Sequence, residues 1–407
     1  MKNLPIKPSD ILVPKNNFEK WSVIACDQFT SNREYWDDVK NTVGDYPSTY
    51  KITLPEIYLE DGKVEERIEN INSEMKKYVE SGVFEEYKNC FVYIERKQAD
   101  GRIRQGLVVS LDLEDYDYNV GSKSLIRATE KTVLERIPPR VKIRKNAILE
   151  TPHVMVLIDD KNKKAIEPLA QKKSEMKKIY DFELMKNGGH IAGYILPENE
   201  AGSVLDEIYA LKSDEDHPLL FAVGDGNHSL ATAKACYEAQ KEQFGEKAKE
   251  SPARYALVEL VNIHSDAIDF EPIYRVLFNV NAENVISKAK EYFKTEKANS
   301  EFDYYYKGKS GKLPVFIPAD KIETGVIQEF IDSYIKDYPE TKVDYIHGIS
   351  EVKELSEKEN SVGFIFGGIG KDSLFADVQA TGSLPKKTFS MGEGHDKRYY
   401  LECRKIK

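Results

Sequence analysis

The chain has 407 residues, of which 41% are hydrophobic and 31% charged, and its formal net charge is −10. This length accommodates two or three domains, and the composition is that of an ordinary soluble protein. The acidic balance argues against nucleic acid as a partner, because affinity for phosphate backbones comes from clustered lysine and arginine. It leaves room for a small anionic ligand in a local basic pocket.

Cysteine usage and hydropathy predict a cytoplasmic protein. The four cysteines are widely spaced, with no Cys-x-x-Cys pair, which indicates reduced thiols rather than a disulfide framework or a zinc site. The N-terminal residues lack the apolar core of a signal peptide, and no run approaches the roughly 20 apolar residues of a membrane span. We therefore expect no membrane partner, while the oligomeric state, a homo-oligomer included, stays open.

The first 125 residues predict a strand, two helices and a hairpin. Residues 21–26 form a short apolar run that ends in a polar cluster containing Asp27 and Gln28. Strand ends of this kind are where α/β proteins place ligands, so both residues are candidates for binding. Apolar spacing predicts helices after Ser31 and over 64–80, and the sequence Ala-Asp-Gly at 99–101 predicts the turn of a hairpin.

Residues 127–145 are the concentrated basic region of this acidic chain. Two consecutive prolines at 138 and 139 predict a helix, a break and a second helix. On the first helix Arg127 and Lys131 would reach one side, with Glu130 and Thr132 close to them. This arrangement could clamp phosphate oxygens. The alternative is a solvated helix face with an intrahelical ion pair.

Strands and helices alternate from residue 150 to 265, which predicts a mixed α/β core. The predicted strands are 153–158, 188–196, 219–223 and 255–263. The predicted helices are 174–186, a helix capped by Ser203 and a helix that follows residue 226. After residue 265 the pattern indicates a smaller α+β unit, so we expect an N-terminal domain of residues 1–265 and a C-terminal domain of residues 266–407.

The stretch 219–234 contains the clearest candidate site. An apolar strand ends at Val223, Gly224 and Gly226 permit a tight turn, and a helix follows. Asn227 is a suitable N-cap for this helix. A strand, a glycine turn and a helix N-terminus together form a ready site for an anion.

The side chains at this turn could carry chemistry. The Asp225 carboxylate could orient Mg²⁺ or accept a hydroxyl proton, and the His228 imidazole could donate to a phosphate or act as a base. Ser229 adds a hydroxyl in the first helical turn. The alternative is an ordinary capped turn, in which Asp225 bonds the backbone and His228 packs against the helix.

The last segment, 387–402, predicts a hairpin with a polar tip that could cover the site. Its candidate residues are Glu393, His395, Lys397 and Arg398, and a merely charged hairpin tip is the alternative. The chain has no phosphate-loop motif, no Gly-x-Gly-x-x-Gly, no His-Glu-x-x-His and no Gly-x-Ser-x-Gly.

The sequence Gly-Asp-Gly-Asn-His-Ser-Leu-Ala-Thr-Ala at 224–233 resembles the Asp-Gly-His-His-Arg type signature of a widespread bacterial and archaeal family. That family is the domain of unknown function 1015 (DUF1015). The resemblance extends to 24–30, 127–132 and 387–402 and so covers the full length. The family is similar to the ParB/sulfiredoxin superfamily. Its characterised relatives include SerK-type kinases, which phosphorylate free L-serine using ADP or ATP with Mg²⁺.

The resemblance implies an α/β (mixed α+β) fold with a ParB/sulfiredoxin-like core. It puts Asp225, Gly226 and His228 in the phosphate-side turn, and Arg127 and Glu130 in a second binding segment. The sequence departs from the kinases, which more often have His at position 227 and often have Arg at position 229, and no residue matches their catalytic glutamate. The resemblance does not extend to sulfiredoxin chemistry, since an amide at 227 replaces the reactive thiolate. A ParB-like DNA clamp is disfavoured by the net charge of −10 and by the lack of a clear helix-turn-helix.

The leading hypothesis is therefore a SerK-like small-molecule phosphotransferase, a kinase that moves a phosphoryl group from ADP or ATP to a free hydroxyl amino acid or a similar metabolite. Asp225 and His228 would be catalytic, and Asp225 would hold Mg²⁺. The candidate phosphate- or substrate-binding residues are Gly224, Gly226, Asn227, Ser229, Arg127, Glu130, Lys131, Thr132, Asp27, Gln28, Glu393, His395, Lys397 and Arg398. A non-catalytic nucleotide or metabolite sensor is the first alternative, and an interaction protein with a purely structural motif is the second.

Overall fold

The computed structural model of the protein describes residues 3–24, 32–59, 62–132, 134–213, 216–385, 387–391, 397 and 399–407. Five of the predicted site residues lie outside the described residues. They are Asp27, Gln28, Glu393, His395 and Arg398. The chain forms two compact units: unit 1 comprises Met1–Ile268 and Glu393–Lys407, and unit 2 comprises Asp269–Gly392.

The secondary structure alternates between strands and helices along both units. The strands are β1 (Ile6–Lys7), β2 (Ser9–Pro14), β3 (Val23–Ile24), β4 (Phe84–Cys90), β5 (Val92–Lys97), β6 (Ile103–Asp112), β7 (Tyr116–Asp117), β8 (Ile126–Ala128), β9 (Leu149–Glu150), β10 (Met155–Ile158), β11 (Lys177–Glu183), β12 (His190–Ile195), β13 (Phe221–Asp225), β14 (Tyr255–Asn262), β15 (Phe270–Phe278), β16 (Ser300–Tyr306), β17 (Lys309–Val315), β18 (Lys342–His347), β19 (Ser361–Ile365), β20 (Phe389–Met391), β21 (Tyr399–Tyr400) and β22 (Arg404–Lys405). The helices are α1 (Phe18–Trp21), α2 (Arg33–Val43), α3 (Val64–Glu80), α4 (Ile137–Arg144), α5 (Leu169–Lys172), α6 (Glu198–Ala210), α7 (Asn227–Phe244), α8 (Ala282–Tyr292), α9 (Glu323–Asp337), α10 (Ile349–Ser356) and α11 (Leu374–Thr381).

Unit 1 is built on one large mixed sheet. Its described strands run in the order β11-β12-β5-β6-β14-β10-β13-β8-β7, and β1 pairs with β6. The pairs β10/β14, β13/β8 and β7/β8 are parallel, whereas the other neighbours are antiparallel. The mixed α/β fold predicted from the sequence is confirmed.

The large sheet buries a hydrophobic core on each face. Along β5, Tyr93 belongs to one core and Ile94 to the other, as expected when successive side chains point to opposite faces. The first core receives α6 and α7, the latter through Leu230 and Tyr237. The second core receives α2 and α3. Helix α7 is therefore fixed along its apolar side while its N-terminus lies at the edge of the sheet.

The C-terminal residues return to unit 1 through backbone pairing. β21 pairs with β3, β22 pairs with β9, and Leu12 forms an isolated bridge with Cys403. The buried Glu150 carboxylate accepts from Arg404 (Nε, 2.7 Å) and from Arg144 (Nη2, 2.6 Å). The predicted domain boundary lies between residues 265 and 266, and the two units of the structure divide three residues later, after Ile268. Because of the contacts above, Glu393–Lys407 belongs to unit 1, whereas the sequence predicted it in the C-terminal domain.

Unit 2 is a smaller α+β unit. Its antiparallel sheet has the strand order β17-β16-β19-β15-β18, and β20 also pairs with β15. Helices α8 and α9 contribute buried side chains such as Val285, Ile286, Ile327 and Phe330 to its core. Among the described residues, no helix combines the length and the apolar character that crossing a membrane requires.

Three local predictions are wrong. Residues 126–128 form strand β8 rather than helix because they pair in parallel with β13, and the consecutive prolines lie in the first turn of α4 instead of breaking a helix. Prolines are tolerated there because the first N–H groups of a helix have no partner within it.

Residues 177–183 form the edge strand β11 rather than a helix, through pairing with β12. Ser203 lies inside α6, which begins at Glu198, and so does not cap it.

Candidate functional site

The candidate site lies at one edge of the large sheet, where three neighbouring strands place their ends together. β13 and β8 are parallel, with Val223 opposite Ala128, so both strands end at this edge. β10 runs antiparallel to β13, with Met155 opposite Asp225, so β10 begins at the same edge. The turn after β13 is therefore flanked by residues 151–154 on one side and by residues 129–132 on the other.

Gly226 makes the sharp turn from β13 into α7. Its φ is +81°, a left-handed conformation that residues with a Cβ rarely adopt. A Cβ at this position would overlap His153 O and lie 2.9 Å from Val154 Cα. Glycine is therefore required both by the backbone angle and by the close approach of the segment before β10.

The N-cap residue of α7 is Gly226, which has no side chain to bond the first turn. Asn227 is the first helical residue. The prediction that Asn227 is the N-cap is therefore wrong. A helix of 18 residues with this N-terminus presents N–H groups and a partial positive charge at the edge of the sheet.

Asp225 is held by two basic side chains and by the backbone. Lys397 Nζ donates to Asp225 Oδ2 at 2.6 Å, and His153 Nε2 lies 3.1 Å from the same oxygen. Because an ionised carboxylate only accepts hydrogen bonds, Nε2 carries the proton in this pair. The second oxygen, Oδ1, accepts from Gly226 N at 2.8 Å.

Electrostatics keep Asp225 ionised. Burial by itself would raise the pKa of the Asp225 carboxyl, but the Lys397 ammonium and the bond to His153 outweigh it and hold that pKa well below its usual range. The three side chains are largely buried: Asp225 is 18% exposed, Lys397 10% and His153 3%. The pair therefore interacts in a medium that screens charge far less than water.

Lys397 is anchored through its own backbone. The fully buried Arg96 donates from Nη1 to Lys397 O and from Nη2 to Gly188 O (2.7 Å). Lys397 is among the residues predicted from the sequence, whereas His153 and Arg96 are not. The sequence shows a histidine just before an apolar strand and an arginine inside another strand. Neither position reveals the partner of the side chain, because the register of the sheet decides which residues meet.

The basic segment is divided between the core and the surface. Arg127 is 2% exposed, and its guanidinium donates to Ser124 O and His217 O, each at 2.7 Å. On strand β8 it does not share a helix face with Lys131, which is exposed, so the predicted pairing of these two cations on one helix is wrong. Glu130 is half-buried and Thr132 is buried.

His228 and Ser229 lie in the first turn of α7, and both are half-buried. Thr232 Oγ1 donates to His228 O at 2.7 Å and so fixes the backbone of that turn. Gly224 and Asn227 are half-buried as well. The structure therefore brings the glycine turn, His228 and Lys397 together at one edge of the sheet.

A Mg²⁺ ion at Asp225 does not fit the described residues. Both carboxylate oxygens already accept hydrogen bonds, and a divalent cation there would lie against the Lys397 ammonium. Within the part of the chain that the structure describes, no group of three or more His, Cys, Asp or Glu side chains is arranged to hold a metal ion.

A separate cavity of about 540 Å³ lies among α3 and the residues before it. Its lining includes Tyr50, Lys51, Tyr58 and Arg67, and the Arg67 guanidinium lies 4.2 Å from the centroid of the Tyr58 ring. None of the predicted site residues is among the described residues that line it.

The protein is thus a mixed α/β protein in which the glycine turn after β13 leads into the N-terminus of α7. The chain belongs to the family described as "Protein of unknown function (DUF1015)", whose model matches residues 6–334. The family predicted from the sequence is thereby confirmed. A comparison with curated proteins found no significant match.

The chain is similar to several solved structures, each at low sequence identity and low TM-score. One is a conserved hypothetical protein from Pyrococcus furiosus, with 12% identity and a TM-score of 0.38 over 72% of this chain and 93% of that chain. Another is a free serine kinase in complex with AMP, with 12% identity and a TM-score of 0.40 over 74% of this chain and 92% of that chain. A third is SbnI with C-terminal truncation from Staphylococcus aureus, with 9% identity and a TM-score of 0.36 over 70% and 82% of the two chains. A mutant of the free serine kinase was solved in complex with ADP. These likenesses assign no role to any residue of this chain.

Proposed function

We propose that the turn at Asp225 and the start of α7 bind the phosphate groups of a nucleotide, and that the protein transfers a phosphoryl group from it to the hydroxyl of a small molecule. The observation that carries this proposal is the buried Lys397 ammonium, held at 2.6 Å from Asp225 beside a helix N-terminus whose N-cap residue, Gly226, has no side chain. Both features are positive and lie at one edge of the sheet, which supports binding of an anion.

Lys397 is suited to contact a phosphate without leaving Asp225. An ammonium has three donors, and the bond to Asp225 uses one of them. The carboxylate balances the lysine charge while the site is empty, so the buried cation is not left unpaired. In phosphoryl transfer most of the catalysis is positioning and charge neutralisation, which is the part that such a lysine and helix N-terminus would supply.

The proposed step breaks one P–O bond and forms another. The acceptor hydroxyl oxygen attacks the terminal phosphorus, the bond to the nucleotide oxygen breaks, and the hydroxyl proton passes to a base. His228, half-buried in the first turn of α7, is the proposed base. Asp225 is a poor base because its pKa is lowered and both oxygens accept hydrogen bonds, so its proposed role is to position Lys397 and His153.

The donor and acceptor follow from the sequence resemblance, which implies ADP or ATP and a hydroxyl amino acid such as L-serine, or a similar metabolite. The test is ³¹P NMR of the protein with ADP or ATP and L-serine, which should show a new phosphomonoester. Asp225→Asn should abolish turnover, whereas Asp266→Asn should not, because the Asp266 side chain is 91% exposed and pairs with Lys163. Equal turnover by wild type and Asp225→Asn would contradict the assigned role.

Non-catalytic binding of a nucleotide or metabolite is the second candidate function. It is favoured by the engagement of both Asp225 oxygens, which suits a static binding site better than a proton acceptor. Binding is measured by a thermal-shift screen with ADP, ATP, CTP and amino acids, since a ligand at 100 times its Kd adds about 2.7 kcal/mol to the free energy of unfolding. Binding without turnover would select this second function, and no shift with any nucleotide would contradict both.

A further inference from the structure

Two buried threonines lie on the two segments that flank the glycine turn. Thr151 belongs to the segment that leads into β10, and Thr132 belongs to the segment that follows β8. The strand order β10-β13-β8 puts these segments on opposite sides of Asp225 and Gly226. Thr132 is a binding candidate predicted from the sequence, whereas Thr151 is not.

The hydroxyls of both threonines lack a hydrogen-bond partner among the described residues. Each residue is 6% exposed, and each Oγ1 is buried without a partner. A buried hydroxyl in this condition destabilises the folded state, because it has left water and gained no replacement bond. Native proteins keep few such groups, and each one that persists calls for an explanation, such as a bound water, an ion or a functional role.

Other threonines near the same turn are satisfied. Thr129 Oγ1 donates to Val223 O, and Thr232 Oγ1 donates to His228 O, each at 2.7 Å. Of these four threonines, Thr151 and Thr132 are the two whose hydroxyls have no partner among the described residues. Between their two segments, the Asn227 side-chain oxygen is also buried and without a partner among the residues that the structure describes.

From these observations we propose that the Thr151 and Thr132 hydroxyls donate hydrogen bonds to the oxygens of one phosphate group seated at the N-terminus of α7. This inference rests on the proposed function and adds the residues that recognise the ligand. Donors from segments on opposite sides of the turn suit a tetrahedral oxyanion, whose oxygens point in several directions, better than a planar carboxylate. The Asn227 oxygen is an acceptor, so the bound molecule also presents an O–H or N–H group there.

The test uses Thr151→Val and Thr132→Val, which remove the hydroxyl and keep the shape of the side chain. Thr129→Val and Thr232→Val are the matched controls, because their hydroxyls already have partners. The first measurement is unfolding without ligand. The two test variants should be as stable as wild type or more stable, since valine removes an unsatisfied group, and the two controls should be less stable.

The second measurement is calorimetric titration with pyrophosphate and with ADP. Each test variant should bind both probes at least tenfold more weakly than wild type, while Thr151→Ser and Thr132→Ser should restore most of the affinity. Adenosine, which has no phosphate, should show no difference between Thr151→Val and wild type. A merely structural hydroxyl would not combine unchanged or higher stability with weaker binding of phosphate.

The outcomes separate this inference from the proposed function. If wild type binds ADP and both test variants bind it equally well, the threonine assignment is wrong and the proposed function stands. Loss of stability in Thr151→Val or Thr132→Val comparable to that in Thr129→Val would also overturn the assignment, because it would show a hydroxyl already bonded in the fold. If wild type binds neither pyrophosphate nor any nucleotide, both the assignment and the proposed function fail.

Discussion

Replacing Lys397 with methionine should expose how strongly Asp225 depends on its partner. The variant keeps the length and apolar part of the side chain but removes the ammonium that lies 2.6 Å from the carboxylate. Removing one member of a buried ion pair costs about 3–5 kcal/mol, because the remaining charge is left in a poorly solvated position. His153 remains 3.1 Å away as a second partner, so we expect a loss of about 3 kcal/mol at pH 7.

The loss should depend on pH in a defined direction. In wild type the Asp225 pKa is lowered, so its contribution to stability is constant above the unfolded value of about 4 and is lost only below it. Without Lys397, burial dominates and raises the pKa of Asp225. A raised carboxyl pKa favours the folded state at low pH, so the deficit of the variant should shrink as the pH falls from 7 to 5.

Tryptophan fluorescence can follow this unfolding in unit 1 alone. The two tryptophans of the chain, Trp21 and Trp36, are both fully buried in that unit. Urea titrations at pH 7 and pH 5 should be run on wild type, Lys397→Met and the double variant with Asp225→Asn, which should regain most of the stability. A deficit below about 1 kcal/mol, or one that is equal at both pH values, would refute the account of a buried and coupled pair.

The remaining predictions measure stability by the same fluorescence assay, and ADP affinity by calorimetric titration. Gly226→Ala should destabilise unit 1 by more than about 2 kcal/mol, and by more than Gly101→Ala does. Both glycines have a positive φ, but Gly101 has open space around it, whereas the backbone of His153 and Val154 lies close to Gly226. Equal losses of stability would contradict a role for this close backbone contact. Glu150→Gln should lower the free energy of unfolding by about 2–3 kcal/mol at pH 7. Burial would raise the pKa of the Glu150 carboxyl, but two arginines hold that pKa low, so the stability advantage of wild type should fade below about pH 4. A loss of stability that does not depend on pH would argue against an ionised Glu150. Arg127→Gln should lower the stability of unit 1, because the Arg127 guanidinium bonds two backbone carbonyls, and should change the ADP affinity of the folded protein by no more than about twofold. A loss of ADP affinity without a loss of stability would show instead that Arg127 binds the ligand.

The glycine turn was predictable because its signals are local. The stretch around Gly226 contains an apolar strand, a glycine that must adopt a positive φ, and an apolar helix face. Each of these signals depends only on residues that are close together in the sequence. The same local logic predicted α3 with the bounds that the structure has. Its apolar positions at Ile68, Ile71 and Met75 face the core.

The contacts that complete the site were not predictable from the sequence. His153 reaches Asp225 because the register of β10 against β13 shifts between Met155 and Val156, which brings Asp225 opposite Met155. A shift of one residue changes the face to which a side chain points, and no pattern in either strand reveals it. Lys397 is 172 residues away in sequence and reaches the turn only through the return of the C-terminal segment.

The wrong helix predictions also have a physical reason. Around Arg127 the charge spacing fits a helix, but the short apolar ends of the segment pair with β13, and this pairing overrides the local preference. Around Tyr180 a helix was predicted, whereas Tyr180 and Phe182 lie two apart, a spacing that places both on one face of the edge strand β11. In both places a partner strand, absent from local patterns, decides the structure.

The return of the C-terminal segment sets an order of events during synthesis. Lys397 leaves the ribosome only after the whole of Asp269–Gly392 has been made, although its partner Asp225 and the helix that begins at Asn227 emerge far earlier. A nascent chain can therefore form most of the large sheet while the carboxylate at its edge still lacks the lysine. The proposed anion-binding centre therefore becomes complete only after all of Asp269–Gly392 has been made, and a chain that stops within that range would lack the lysine that pairs with Asp225.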